Sequence, residues 1–230
     1  MKYLALLTIG LLCILPTLFA QHWISLFNGK NLNGWEPASG SAKFSVKDGM
    51  IVGETVVGSP NSFLKTKNTY SNFIIELDAK LPDSTSNSGV QIRSHINTEG
   101  RVYGYQYELD PSARKWTGGL YDEARRDWLY PLSLNPEAQN AYLSGQFNHI
   151  KIECIGHEIK TWINGVPAAY LVDTLDTNGF IALQVHSIGN NAALIVNNTN
   201  SGDLFVASAS LSIFNHAQPI EGFLISAVNF

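Results

Sequence analysis

Between Phe73 and Leu81 the chain reads FIIELDAKL, with Ile75, Leu77 and Ala79 alternating against Glu76, Asp78 and Lys80. Successive side chains of a β-strand point to opposite faces, so this period of two predicts a strand with one face buried. The same alternation returns in Phe147–Ile155 (FNHIKIECI), and Gly179–His186 (GFIALQVH) reads as a last clear strand. Glu158–Ile163 and Val166–Val172 flank Asn164-Gly165, a pair suited to a type I′ turn, and so predict a hairpin. Phe44–Val46 and Met50–Val52 flank Lys47-Asp48-Gly49 in the same way. Trp23–Phe27 and Ser62–Thr66 add shorter strands, and Pro136–Tyr142 is the single candidate for a short helix. Roughly ten short strands at regular turn spacing, with almost no helical period, argue for an antiparallel β-sandwich or jelly roll.

The stretch Ser88–Trp128 breaks the pattern of modest, evenly spread polarity. It holds two strand-like runs, Gly89–Ser94 and Val102–Asp110, then a Gly-Gly turn and a charged loop. Period-two reading puts Gln91 and Arg93 on one face of the first run. In the second it groups Gln106, Glu108 and Asp110 on one face, with Tyr103, Tyr105, Tyr107 and Leu109 opposite. Tyr121, Asp122, Glu123, Arg125, Arg126 and Trp128 follow. Taken singly, each of these reads equally well as a solvated strand face or surface loop. Their density within forty-one residues marks the stretch as a candidate site. Gln184 and His186 share a face of the last clear strand, so three polar sets could line one sheet face if their strands are neighbours.

Composition then narrows the classes. The formal net charge is −4 with 15% charged residues, which leaves no basic footprint for nucleic acid. Aromatic residues make 11% of the chain, a level that serves strands and sugar-binding surfaces alike. Lys2 followed by the apolar run Tyr3–Phe19 and Ala20 reads as a signal peptide over residues 1–20. Export to the periplasm or beyond is expected, with no membrane span after its removal. Leu12 ahead of Cys13 is not the small residue of a lipoprotein signal, so lipidation is not expected. Cleavage would leave Cys154 alone, unable to form an internal disulfide and best read as a small buried hydrophobe. Residues 21–230 then suit one β-rich domain. Its tail is atypical: Ser187–Phe230 contains no Lys or Arg, only Asp203 and Glu221 as acids, and loose alternation that reads as up to three further strands.

Several segments together resemble the secreted bacterial 3-keto-disaccharide hydrolase family. They are LFNGKNLNGW (Leu26–Trp35), FSVKDGMIVG (Phe44–Gly53), SGVQIRS (Ser88–Ser94), GYQYELD (Gly104–Asp110), TGGLYDEARRDWL (Thr117–Leu129), FNHIKIECIGHEIKTWINGV (Phe147–Val166) and GFIALQVH. The resemblance runs from about residue 23 to 189. It implies a two-sheet antiparallel jelly-roll sandwich of the concanavalin A-like lectin and glucanase type. The tail departs from the family, whose last strand is Arg-rich, through divergence or a shifted reading frame.

The resemblance also implies cleavage of glycosides already oxidised to a ketone at C3, and hence an oxidised-glycoside substrate and a sugar 3-oxidoreductase upstream. A C3 ketone acidifies the C2 proton; a base removes it and the C1 substituent is expelled. That chemistry needs a base near neutral pKa and donors or a metal for the oxyanion. His186 or Glu108 is the expected base, with Gln91 and Arg93 as oxyanion or hydroxyl donors. Asp110 and Glu123 would bind sugar hydroxyls or a divalent metal ion, since hard cations favour carboxylates. Gln106 and Arg125 complete the expected sugar contacts, and Tyr105, Tyr121, Trp128 or Trp162 would supply the ring platform. Two alternatives stand beside this reading: ordinary hydrolysis by two carboxylates, Glu108 with Asp110 or Glu123, and a non-catalytic glycan-binding module.

Overall fold

A computed structural model describes residues 23–187 together with the backbone of a strand at 204–215. The apolar run Tyr3–Phe19 with Cys13, expected to be a signal peptide, and the tail outside that strand lie beyond the described residues. Among the described residues no helix is long and apolar enough to cross a membrane.

The strands form two antiparallel sheets. The front sheet runs, in spatial order, β10 (Asp127–Tyr130), β9 (Leu120–Glu123), β8 (Val102–Leu109), β7 (Ser88–Ile96), β14 (Phe180–Val185), β5 (Ser62–Thr66) and β2 (Trp35–Ala38). The back sheet runs β13 (Val166–Val172), β12 (Glu158–Ile163), β11 (Asn148–Ile155), β6 (Phe73–Lys80), β15 (Leu204–Asn215), β4 (Met50–Glu54) and β3 (Lys43–Lys47), with β1 (Ile24–Ser25) also pairing β15. The predicted hairpins are present. Asp48 and Gly49 have φ of 51° and 76°, and Asn164 and Gly165 have 50° and 82°. Two successive positive φ values are what a type I′ turn requires, and they match the right-handed twist of the flanking strands. The predicted helix is one turn, α1 (Pro136–Gln139), with Asn135 Oδ1 accepting from the Ala138 amide at 3.3 Å.

One core fills the space between the sheets. Ile75, Leu77, Ile150 and Ile152 from the back sheet meet Val90, Ile92, Tyr105, Tyr107 and Leu183 from the front, all fully buried. Each such side chain contributes about 1.5–3 kcal/mol through apolar area removed from water. Hydrogen bonds cross the core as well. Tyr107 Oη donates to the Trp162 carbonyl at 3.2 Å, and Thr161 Oγ1 to the Gly118 carbonyl at 2.7 Å. Cys154 is buried and free, as the sequence predicted, and burial pushes its thiol up to about 12.

The tail supplies a strand where the sheet would otherwise gape. β15 lies between β6 and β4, its register slipping between Ala207 and Ser212 against β6. A second irregularity sits in β7. Gln91 pairs Gln106 and His95 pairs Tyr103, so β7 carries one more residue than β8 over this interval. Arg93 lies within it at φ 48°, a left-handed conformation costly for a residue with a Cβ. That bulge decides which β7 side chains reach the front face.

Candidate functional site

The strands β9, β8, β7, β14 and β5 are consecutive neighbours, so the strands bearing the three polar sets adjoin, and Gln91, Gln106, Glu108, Gln184 and His186 converge while Arg93 and Asp110 do not. On the face turned away from the core, Gln106, Glu108, Tyr121, Glu123, Trp128, Gln184 and His186 line a cavity of about 330 Å³. Gln91 lies under them. Asn61, Asn87, Arg101 and Arg114 complete the wall.

A directed chain of hydrogen bonds runs through the floor. Ser94 Oγ donates to Gln91 Oε1 (2.6 Å), Gln91 Nε2 to Gln106 Oε1 (2.6 Å), and Gln106 Nε2 to Glu108 Oε2 (2.8 Å). Asn87 Nδ2 donates to the other oxygen, Glu108 Oε1, at 2.8 Å. Gly89 makes this possible. It lies opposite Glu108, and a Cβ there would sit 2.4 Å from Gln106 Cδ. Glu108 is 5% exposed, and burial pushes its carboxyl up to about 7. The Asn87 and Gln106 donors pull it back down, while the charge of Asp110 adds to the rise.

Glu123 forms a second polar centre. Its Oε1 accepts from Asn61 Nδ2 at 3.2 Å and its Oε2 from Gln184 Nε2 at 3.5 Å. Burial raises its pKa, opposed by the Asn61 hydrogen bond and then by the charges of Arg101 and His186. Beside it, His186 Nδ1 lies 2.9 Å from the Ser187 carbonyl. A carbonyl only accepts, so Nδ1 carries the hydrogen of this bond, and whenever the ring is neutral Nε2 is its accepting nitrogen. Gln184 Oε1 is buried and accepts no hydrogen bond among the described residues.

The third component is aromatic. Trp128 meets Tyr121 edge-on at 5.3 Å and Trp116 at 4.6 Å. Arg114 stacks over both tryptophans, 4.7 Å from the Trp116 ring and 5.5 Å from that of Trp128. It is held by an ion pair to Asp110 at 2.7 Å. Tyr121 Oη donates to Asp127 Oδ1 at 2.8 Å; burial, then that carboxylate, pushes its phenol up to about 12.

Five expected site residues stand elsewhere. Arg93 is fully buried, and the β7 bulge turns it away from the cavity. Its guanidinium donates to the backbone carbonyls of Ser71 (2.6 and 2.8 Å), Gly156 (2.8 Å) and Asp176 (3.5 Å), and is not part of the cavity wall. Tyr105 belongs to the core face of β8, and its hydroxyl donates to Asp173. Arg125 is spent on Asp122 and Asp176, and packs over Tyr103 and Tyr105. Trp162 lies on the back sheet under Lys151. Asp110 turns to Arg114 rather than into the cavity. Among the described residues no three His, Cys, Asp or Glu side chains gather in a group that could hold a metal ion.

Four wall residues carried no strand signal. Asn61 and Asn87 each stand directly before a front-sheet strand, Arg101 directly before β8, and Arg114 in the loop five residues after it. Adjacency to the strands that bear the polar sets is the one cue that could have found them.

In fold the protein is similar to a candidate glycosyl hydrolase from Parabacteroides distasonis, at 18% identity over 84% of this chain and 93% of that one, TM-score 0.58. It is also similar to a galectin-like protein of unknown function from Bacillus subtilis (9% identity, 80% and 90% covered, TM-score 0.55). Porphyranase B from Zobellia galactanivorans follows (12%, 87% and 94%, TM-score 0.51). At these identities the likeness is one of fold: a two-sheet jelly roll of the galectin and concanavalin A type. No curated protein matches the sequence. The 3-keto-alpha-glucoside-1,2-lyase-like domain matches residues 22–195, taking in every strand of the two sheets except β15, and the whole cavity wall. The chain therefore belongs to the 3-keto-alpha-glucoside-1,2-lyase-like family of carbohydrate-active domains.

Proposed function

We propose that the protein cleaves 3-keto-glycosides by removing the C2 proton and expelling the C1 substituent, with Glu108 as the base. The observation that carries this reading is a buried carboxylate, poised at about 7, on the floor of a polar cavity. A base works best when its pKa lies near the operating pH. The two donors on Glu108 fix its orientation, and the chain from Ser94 leaves it no freedom to swing.

Electrons from the C2–H bond form an enolate conjugated with the C3 carbonyl. They then make the C1=C2 bond as the C1–O bond breaks. The departing oxygen takes a proton from water at the wall where Glu123 and His186 stand. The sugar product is a 1,2-unsaturated 3-keto sugar, and addition of water at C1 would complete a net hydrolysis. Gln184 Oε1 would accept from a sugar hydroxyl, and Trp128 with Tyr121 would face the ring. Because the substrate carries a ketone, an oxidoreductase acting at C3 must supply it. The Tyr3–Phe19 run supports export, checked by finding the activity in the periplasmic or secreted fraction.

A second reading makes His186 the base, supported by its accepting Nε2. The test is release of a chromogenic aglycone from a 3-keto-glucoside, with the unoxidised glucoside beside it. Release from the keto sugar alone, abolished by E108Q and retained in H186Q, is the expected result; the opposite pair of variant results moves the base to His186. Release from the plain glucoside points to two-carboxylate hydrolysis. Glycan binding without release, intact in E108Q, would leave a binding module.

A further inference from the structure

The stretch Asp122-Glu-Ala-Arg-Arg-Asp127 closes the β9–β10 hairpin, and of its side chains only Glu123 lines the cavity. Alternation along β9 sends the neighbouring Asp122 the other way, opposite Tyr105, where it is fully buried. Both of its oxygens are taken. Arg125 donates to Oδ1 through Nε and Nη2 at 2.9 and 2.7 Å, and Arg126 Nε donates to Oδ2. The two guanidiniums reach on to the connection between β13 and β14, where Arg125 pairs with Asp176 and Arg126 with Asp173, each at 2.7 Å. Asp173 Oδ1 also accepts from Tyr105 Oη at 2.6 Å. Ala124 and Asp127 flank the arginines at φ 59° and 63°, left-handed conformations that are costly outside glycine and persist where the surroundings fix them.

Glu123 extends in the opposite direction. Gly104 faces it on β8 with no side chain in the way, and the carboxylate crosses β8 and β7 to reach Asn61 beside β5 and Gln184 of β14. Those contacts at its head are long, 3.2 and 3.5 Å, at and beyond the upper end of N–H···O bonds. The bonds that hold Asp122 are shorter and join full charges. The Glu123 carboxylate is therefore placed from its base, by the backbone of β9, more than from its tip.

Resting on the keto-glycoside reading above, we infer that Asp122 is a positioning residue for that reaction. Through Arg125 and Arg126 it locks the β9–β10 turn, so that Glu123 orients the water that gives its proton to the departing C1 oxygen. A fully buried carboxylate adds little net stability even when paired, because desolvating the charges offsets their attraction. What two planar guanidinium forks on one carboxylate do supply is direction. They fix where β9 ends, and with it the line along which the next side chain leaves the strand.

The test compares ethyl and 4-nitrophenyl 3-keto-glucosides. Nitrophenolate leaves without a proton, whereas ethoxide must be protonated as the C1–O bond breaks, so only the ethyl substrate needs an oriented water. E123A should lower kcat on the ethyl substrate by about tenfold or more beyond its effect on the nitrophenyl one. D122N should reproduce that selective loss, and should add nothing to it when combined with E123A, because the two residues act as one unit. A merely structural Asp122 would lower both substrates alike or add its loss to that of E123A. Either result overturns the inference and leaves the keto-glycoside reading intact, and so does an E123A that shows no selective loss. Should D122N fail to fold, R126Q, at a partly exposed guanidinium, carries the same comparison with the same outcomes. Release of neither aglycone by the wild type overturns the keto-glycoside reading, and this inference falls with it.

Discussion

In β6 and β12 of the back sheet, buried and half-exposed residues alternate one by one, whereas β7, β8 and β14 of the front sheet are buried at nearly every position. The back sheet meets the core on one face and water on the other, so its polar residues are solvated: Glu76, Asp78, Lys80, Lys151 and Glu153. The front sheet is shielded on both faces, yet one of those faces is built of Gln91, Gln106, Glu108 and Gln184, each 5% exposed or less. Burying such groups is unfavourable unless they are bonded to one another or to a ligand. The same fold thus carries two kinds of polar surface, one kept in water and one withdrawn from it. The withdrawn one is the better place to look for chemistry.

The widest separation between the two sheets should appear with Glu108→Gln. We expect kcat/KM on a 3-keto-glucoside to fall by about 10²–10⁴, with the fold unchanged by circular dichroism. The pH dependence sharpens this. A carboxylate base is active when ionised, so the wild-type kcat/KM should rise with pH through about 7, and H186Q should keep that rise. Stability should run the other way. Glu108 has a folded pKa above its ordinary value of 4.5, so it binds its proton more tightly when folded. Its contribution is full below about pH 4.5 and is lost as pH rises through about 7. Denaturant titrations should therefore show wild type losing stability relative to E108Q between pH 5 and 8. A flat difference would place Glu108 in an ordinary solvated setting and erase the contrast between the sheets.

Arg93→Met should separate burial from catalysis within the front sheet itself. It leaves the Ser71 and Gly156 carbonyls without their donors, and a loss of about 2–4 kcal/mol in urea unfolding is expected. The folded fraction should keep the wild-type pH profile, because no Arg93 atom reaches the cavity. A profile shifted in R93M would return Arg93 to the site. Gly89→Ala comes next. The added methyl collides with Gln106, so we expect about 1–3 kcal/mol of destabilisation together with a lowered kcat, as Gln106 loses its hold on Glu108. Loss of stability with kcat intact would show that the Gln106 bond to Glu108 is dispensable.

How much of this was legible in the sequence follows from the same contrast. Clean alternation found β6 and β11, and two-residue turns found both hairpins, β12 among their strands, because the back sheet obeys the half-buried rule. Gln106, Glu108, Gln184 and His186 were grouped correctly by period within their own strands. Pairing between β8, β7 and β14 is a long-range fact that no local pattern encodes. Arg93 was assigned to the wrong face because one extra residue in β7 reverses the period beyond Gln91, and a bulge of this kind carries no glycine to announce it. Tyr105 and Trp162 were drawn in by residue type alone; period already set Tyr105 opposite Glu108. Asn61, Asn87, Arg101 and Arg114 sit on loops, where periodicity says nothing.

The smallest effect is expected on the back sheet, and it is the control for all the others. His149 bridges Asp78 at 2.9 Å and approaches Glu76 at 3.8 Å across the β11–β6 pair, with 44% of its side chain exposed. On sequence alone this His and two carboxylates look no less catalytic than Glu108 with His186. The difference lies in solvent. An exposed cluster is screened, its partners can exchange for water, and such pairs contribute about 0–1 kcal/mol. His149→Ala should therefore shift the unfolding free energy by no more than about 1 kcal/mol and change kcat/KM by less than twofold. A larger loss of activity would mean that the solvated sheet takes part in the reaction, and that withdrawal from water does not mark the site in this fold.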